Sequence, residues 1–222
     1  MMKKHFLTLV CICATHFSFA QINEIGFFIG GTNYVGDIGQ TTYVNPNKLG
    51  GALLYKYNYN PRIAYRATYS YLPIQGNDAN SNNAYRAASN RRFTNTIHEM
   101  ALGLEFNFRN YNLATHNQRT TPYLLVEFVG LNYQTAKAVT NTTQVHLKSK
   151  TTFAVPIGLG VKGGLGNGFA YALETKARYT FEDDLDYSTA RFPILNFGGT
   201  KKDWYFFTGF SIVYIFGRPA CY

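Results

Sequence analysis

Ile63-Ala64-Tyr65-Arg66-Ala67-Thr68-Tyr69-Ser70-Tyr71 changes character at every step. Ile63, Tyr65, Ala67, Tyr69 and Tyr71 share one parity; Ala64, Arg66, Thr68 and Ser70 share the other. Successive side chains of a strand point to opposite faces. The stretch therefore reads as a strand with a large apolar face and a small or charged one. Residues 99–108 repeat the pattern, with Met100, Leu102, Leu104, Phe106 and Phe108 against Glu99, Ala101, Gly103, Glu105 and Asn107. Residues 169–180 do so again, with Phe169, Tyr171, Leu173, Ala177 and Tyr179 against Ala170, Ala172, Glu174, Lys176, Arg178 and Thr180. In a soluble sandwich the polar face would be long and solvated. Here it is rich in Gly, Ala, Ser and Thr, which suits the narrow lumen of a small barrel.

Working outward, eight such segments can be placed, at 23–31, 49–58, 62–74, 96–109, 120–133, 151–163, 169–181 and 203–216. The connections alternate in length. Residues 32–48, 75–95, 134–150 and 182–202 are long, while Asn58–Pro61, 110–119 and Gly164–Gly168 are shorter. Outer-membrane barrels have short periplasmic turns and long outer loops. The expected fold is all-β: a closed, eight-stranded antiparallel transmembrane barrel of the cell outer membrane, with an even strand count that leaves both termini in the periplasm.

The bulk numbers agree. Hydrophobic residues make up 46% of 222, aromatics 17% and charged residues 15%, against about 25% charged in a typical soluble domain. The mean hydropathy of −0.18 excludes a chain built of membrane helices, because alternation averages one lipid face with one polar face. The first 20 residues read as a cleaved signal peptide. Lys3 and Lys4 precede the short apolar run Phe6–Thr15, and Ser18-Phe19-Ala20 is a small-x-small cleavage site. That run is far below the ~20 residues a spanning helix needs. Cleavage lowers the net charge from +9 to +7, since it removes two lysines and no acid. It also removes two of three cysteines, leaving Cys221 without an intramolecular partner. The expected layout is signal peptide 1–20, barrel 21–216 and a periplasmic tail 217–222.

On the lumen side fall five carboxylates, Glu24, Glu99, Glu105, Glu127 and Glu174, and five bases, Lys56, Arg66, Lys162, Lys176 and Arg178. They could form a proton or ion path, or a salt-bridge network that plugs the barrel. Buried charge is costly unless paired, and pairing is available, so the plug is favoured. A diffusion pore needs about sixteen strands. Glu182-Asp183-Asp184-Leu185-Asp186 could offer oxygen ligands to calcium. It lacks the spacing and glycine of a complete loop motif, so a solvated or lipopolysaccharide-bridging loop is favoured. No catalytic, cofactor or metal site emerges. His98, His116 and His146 have no spacing that forces them beside a serine, and Gly-x-Ser-x-Gly is absent. Nothing points to nucleic acid.

Four stretches are more specific than a generic barrel. They are Glu24–Gly39 (EIGFFIGGTNYVGDIG), Arg92-Phe93-Thr94-Asn95 leading into Glu99 and Leu104–Phe108, Arg178–Asp186 (RYTFEDDLD), and Asp203–Gly209 (DWYFFTG). With them the chain resembles the PorG-like family of Bacteroidota, the outer-membrane barrel component of the type IX secretion system. The resemblance implies a non-enzymatic anchor or assembly factor. Its expected partners are outer-membrane lipid, the barrel-assembly machinery during insertion, and a periplasmic ring made of a lipoprotein and its partner. The alternatives are a stand-alone barrel acting as an adhesin or lipopolysaccharide binder, and a lipid-modifying barrel enzyme. On the strand assignment, the periplasmic turns and tail carry Arg62, Arg109, Arg119 and Arg218 and no acid. That basic rim, with Cys221 on the tail, is the expected docking surface.

Overall fold

The computed structural model describes residues 22–112, 120–141, 144–188, 192, 195 and 202–217. Eight strands follow in order: β1 Ile22–Val35, β2 Lys48–Asn58, β3 Ile63–Asn77, β4 Arg92–Asn107, β5 Thr121–Asn141, β6 Gln144–Gly166, β7 Phe169–Thr180 and β8 Trp204–Phe216. Each pairs antiparallel with its sequence neighbour, and β1 pairs with β8 from Asn23↔Phe216 to Val35↔Trp204, which closes the ring. The seam is tight at Gly30↔Gly209. A Cβ at either would run into the carbonyl oxygen of the strand opposite. One short helix, α1 Ala84–Ser89, lies between β3 and β4; the Asn83 side chain accepts from the Tyr85 N–H and caps it.

The alternation of the sequence becomes the two faces of the wall. On β3 the burial alternates from Ala64 to Ile74, and on β4 Met100 and Leu102 are 72% and 70% exposed while Ala101 between them is buried. An apolar outside on a ring with no free sheet edge is stable in hydrocarbon, where unpaired backbone groups cannot be solvated.

Two ends differ. At one, the connections are Tyr59–Arg62, the segment from Phe108 to Thr120, and Asn167-Gly168. The last is a two-residue turn with φ of 51° and 79°, the Asn-Gly signature of a hairpin whose twist matches its strands. Strand pairing runs on to Gly166, past the expected stop at 163. The first and last described residues, Ile22 and Gly217, lie at this short-turn end.

At the other end a correction is needed. Residues 134–150 were expected to form a loop. Instead β5 and β6 continue as a ribbon whose register reaches Asn141↔Gln144, with an irregularity around Lys137. β5 leaves β4 after His98↔Asn132 and β6 leaves β7 after Ala154↔Thr180. The ribbon's alternation, Val145 and Leu147 between Gln144, His146 and Lys148, is short and carries no aromatic residue, so it reads as a loop.

Candidate functional site

The lumen is filled, and its filling changes along the axis. Toward the short-turn end it is charged. Glu24 and Lys56 face each other across β1 and β2 at 3.7 Å, and Lys56 reaches Glu105 at 3.1 Å. Glu105 also takes Lys162, and lies 3.6 Å from Arg66. Arg66 donates to Glu174 at 2.6 Å, Glu174 lies 3.5 Å from Lys176, and Lys176 donates to Glu127 at 3.0 Å. Arg178 and Glu99 pair at 3.0 Å above them. The structure thus places all ten sequence-selected charges in the lumen, each at most 3% exposed and each against an opposite charge. With only one partner missing, such a pair would leave an uncompensated charge in a dry interior.

Sequence reasoning missed the tyrosines that complete this network. Tyr123 donates to Glu174 at 2.5 Å, Tyr205 donates to Glu99, and Lys162 sits 4.4 Å from the centre of the Tyr111 ring. Parity could have found two of them, since Tyr123 shares a face with Glu127, and Tyr205 is offset by one from outward-facing Trp204.

Further along the same strands the filling turns apolar. Leu72 and Ile74 follow Arg66 on β3, Ile97 and Phe93 lie beyond Glu99 on β4, and Leu131 and Tyr133 follow Glu127 on β5. Phe28 and Phe207 pack edge to face at 4.6 Å beneath them, and Leu185, fully buried, plugs the mouth from above.

The expectation of a solvated loop at Glu182–Asp186 is corrected here. The segment dips into the mouth. Its Leu185 carbonyl accepts from the Asn95 side chain at 2.7 Å, and Tyr187 donates to the Thr94 carbonyl at 2.7 Å. Lys150 binds Glu182 and Asp184, each at 2.8 Å, while Tyr133 and Thr135 donate to Asp184. Glu182 and Asp184 are thereby spent on protein donors. Among the described residues no cluster of His, Cys, Asp or Glu could hold a metal ion. On the opposite side of the mouth Tyr34 donates to Asp203, which also accepts the Leu185 N–H at 3.0 Å. Asp186 accepts the Ser188 N–H at 2.8 Å, and its other oxygen, Oδ2, is buried with no partner. Burial, then the nearby carboxylates, raises Asp186 to about 7 and Asp203 to about 8. Asp183 is raised to about 6 by its partial burial and by Asp37.

The short-turn rim carries Arg62 and Arg109, both exposed. Arg62 donates to Asn110 Oδ1 at 2.9 Å and to the Phe108 carbonyl at 3.0 Å, so it braces two connections together. Arg119, Arg218 and Cys221 lie outside the described residues, as does the signal peptide 1–20.

The four stretches that carry the family resemblance, far apart in sequence, meet in the mouth. Tyr34 of the first stacks edge to face on Phe93 of the second at 4.8 Å, Asn95 of the second holds Leu185 of the third, and Asp203 of the fourth holds Tyr34.

A closed antiparallel barrel with an apolar outside and a paired-charge inside is a small outer-membrane β-barrel. Within that class, residues 3–222 match the model of the DUF6089 family, described as a domain of unknown function, and the chain belongs to that family. No curated protein matches it in sequence. Among solved structures it is similar to the attachment invasion locus protein Ail of Yersinia pestis, with 13% identity, TM-score 0.49, and coverage of 89% of this chain and 100% of that one. It is similar to the N-terminal β-barrel domain of OprF from Pseudomonas aeruginosa, with 10% identity, TM-score 0.48, and coverage of 89% and 98%. A major outer membrane protein from Thermus thermophilus shows 12% identity, TM-score 0.49, and coverage of 88% and 99%.

Proposed function

We propose that the chain is a non-enzymatic anchor or assembly component of the type IX secretion system, docking by its short-turn end onto a periplasmic ring made of a lipoprotein and its partner. The observation that carries this reading is the filled lumen. Ion pairs occupy one half and aromatic and aliphatic side chains the other, so the barrel conducts nothing and its work falls to its two ends. The meeting of the four family-like stretches in one place supports the relationship. The short-turn connections hold arginines and no acid, and a rim of one sign favours an oppositely charged partner.

The test is purification from native membranes with identification of the co-purifying proteins. The ring lipoprotein and its partner are the expected companions. Arg62→Glu combined with Arg119→Glu should still insert and should lose them. Normal co-purification of that variant at ordinary salt would overturn docking through the basic rim.

A further inference from the structure

Each of the twelve acidic residues of this chain is buried or half-buried, and none is exposed. Five neutralise the five lumen bases. The other seven lie at the long-loop end and all turn inward. Asp78 accepts the Gly39 N–H and pairs with Arg91 at 2.7 Å, while Glu182 and Asp184 share Lys150. Asp37 accepts from Ser188, and Asp203 and Asp186 sit in the mouth around Tyr34 and the Ser188 N–H. Asp183 is half-buried, and its raised pKa trims its charge further.

Beside the half-buried Arg86, Arg91 and Lys150, five other bases at this end do the opposite. Arg92, Lys137, Lys148 and Lys202 are exposed and Lys48 is half-exposed. Among the described residues, Lys48, Arg92, Lys137 and Lys148 have no carboxylate partner. The sequence of two connections keeps the same sign. No acid occurs from 134 to 150 or from 187 to 202.

The positions of these bases distinguish a soluble ligand from a lipid headgroup. On the ribbon, Asn132 and Thr151 face each other, hydrogen-bond at 3.0 Å and stand as a polar pair above the exposed rings of Phe128 and Phe153. Lys148 is three residues past the Thr151 end of that pair and Lys137 five residues past its Asn132 end. At about 3.3 Å per residue and a tilt of about 40°, they stand roughly 8 and 12 Å above it. The polar layer of a bilayer is about 5–8 Å deep on each side. Lys148 is thus at its outer edge and Lys137 beyond it. At the same end Tyr85 is 88% exposed and Tyr43 64% exposed. Exposed aromatic faces suit the apolar faces of sugar rings that carry anionic groups.

We propose that the long-loop end docks an anionic polysaccharide, with the β5–β6 ribbon as its main cationic contact. This goes beyond the anchoring role, which uses the opposite rim, and neither stands or falls with the other.

The test uses the full chain in nanodiscs of zwitterionic lipid, with dextran sulfate as probe and neutral dextran as control. Dextran sulfate should bind at low salt and neutral dextran should not. Raising salt from about 50 to about 500 mM should weaken binding at least about tenfold, because exposed charges are screened. Lys137→Glu with Lys148→Glu should cost about tenfold or more, since it reverses the local field. The variant is checked for folding by its heat-modifiable gel mobility. The same charge change on the other rim, Arg62→Glu with Arg109→Glu, should leave binding within about twofold. Absence of binding at low salt, a folded ribbon variant that binds like wild type, or a rim variant that loses as much would each overturn the proposal. So would poly-glutamate competing as well as dextran sulfate at equal charge, which would make the partner an acidic protein.

Discussion

The two halves of the lumen solve the same filling problem with different physics. Toward the short-turn end, carboxylates alternate with bases, so each charge is held by its neighbours of opposite sign. Toward the mouth, apolar side chains fill the bore, and the acids above them face other acids. The first half holds because each charge in it is paired. In the second half Asp186 and Asp203 are held while they keep their protons. An eight-stranded wall needs side chains inside it, but it does not dictate whether they cohere by charge or by packing.

The largest effect should come from the charged half. Glu105 meets Lys56, Lys162 and Arg66. Glu105→Gln strands Lys162 in a dry interior and leaves Lys56 and Arg66 with one carboxylate each; it should cost about 3–5 kcal/mol, read as a lowered urea midpoint in lipid vesicles. Adding Lys162→Met should recover part of the loss, because it removes one stranded base. A second substitution that adds its own full cost instead would show that Glu105 and Lys162 do not interact.

The apolar half should respond more mildly. Ile74 is fully buried in the upper cluster. Ile74→Val deletes one methylene and should cost about 1 kcal/mol, with the same midpoint shift at pH 5 and pH 9. If it costs as much as Glu105→Gln, the contrast between the halves is wrong.

These two halves were not equally legible in the sequence. Parity alone located all ten lumen charges, because strand geometry assigns faces without any knowledge of partners. It could not pair them. Arg66 and Glu174 are 108 residues apart and sit on β3 and β7, which are not neighbours in the ring. Their contact runs across the bore and depends on barrel stagger. The mouth was harder still. Tyr34 and Asp203 are separated by 169 positions, and Glu182–Asp186 looks like any solvated acidic loop until Lys150 and Tyr133 are found beneath it. The ribbon past Asn132 left only a short trace, Val145 and Leu147 between polar neighbours, too brief to tell a strand from a loop.

The smallest effect on overall stability, and the most local, should be a pH dependence confined to the mouth. Asp186 and Asp203 are held at about 7 and about 8, against an ordinary 3.8, chiefly by burial and then by each other and neighbouring acids. Hydrogen-bond accounting points the same way. Tyr34 has one hydroxyl proton and gives it to Asp203, so the buried Oδ2 of Asp186 has no donor unless it carries a proton itself. Folding therefore favours the protonated forms. Below about pH 4 the acids are protonated whether the mouth is seated or open, and no penalty arises. As pH rises from there through 7 and 8, the open state ionises freely while the seated one resists, so stability of the seated segment falls and then levels off. The groups facing this pair are Asp37, Asp183, Tyr34 and Ser188 on the near side, with Lys202 close to Asp183. Lys150, on the far side, is already committed to Glu182 and Asp184. Among the described residues no base is therefore placed to hold a doubly ionised pair. Amide exchange at 184–188 should speed up several-fold between pH 6 and pH 9 beyond the intrinsic change, while exchange in β3 and β4 should not. Asp186→Asn keeps the oxygen that accepts the Ser188 N–H and removes the titrating group, so its mouth should stay protected at pH 9. Equal pH dependence in that variant would mean that the mouth opens for some other reason, and the contrast between a charge-paired half and a proton-held one would fail.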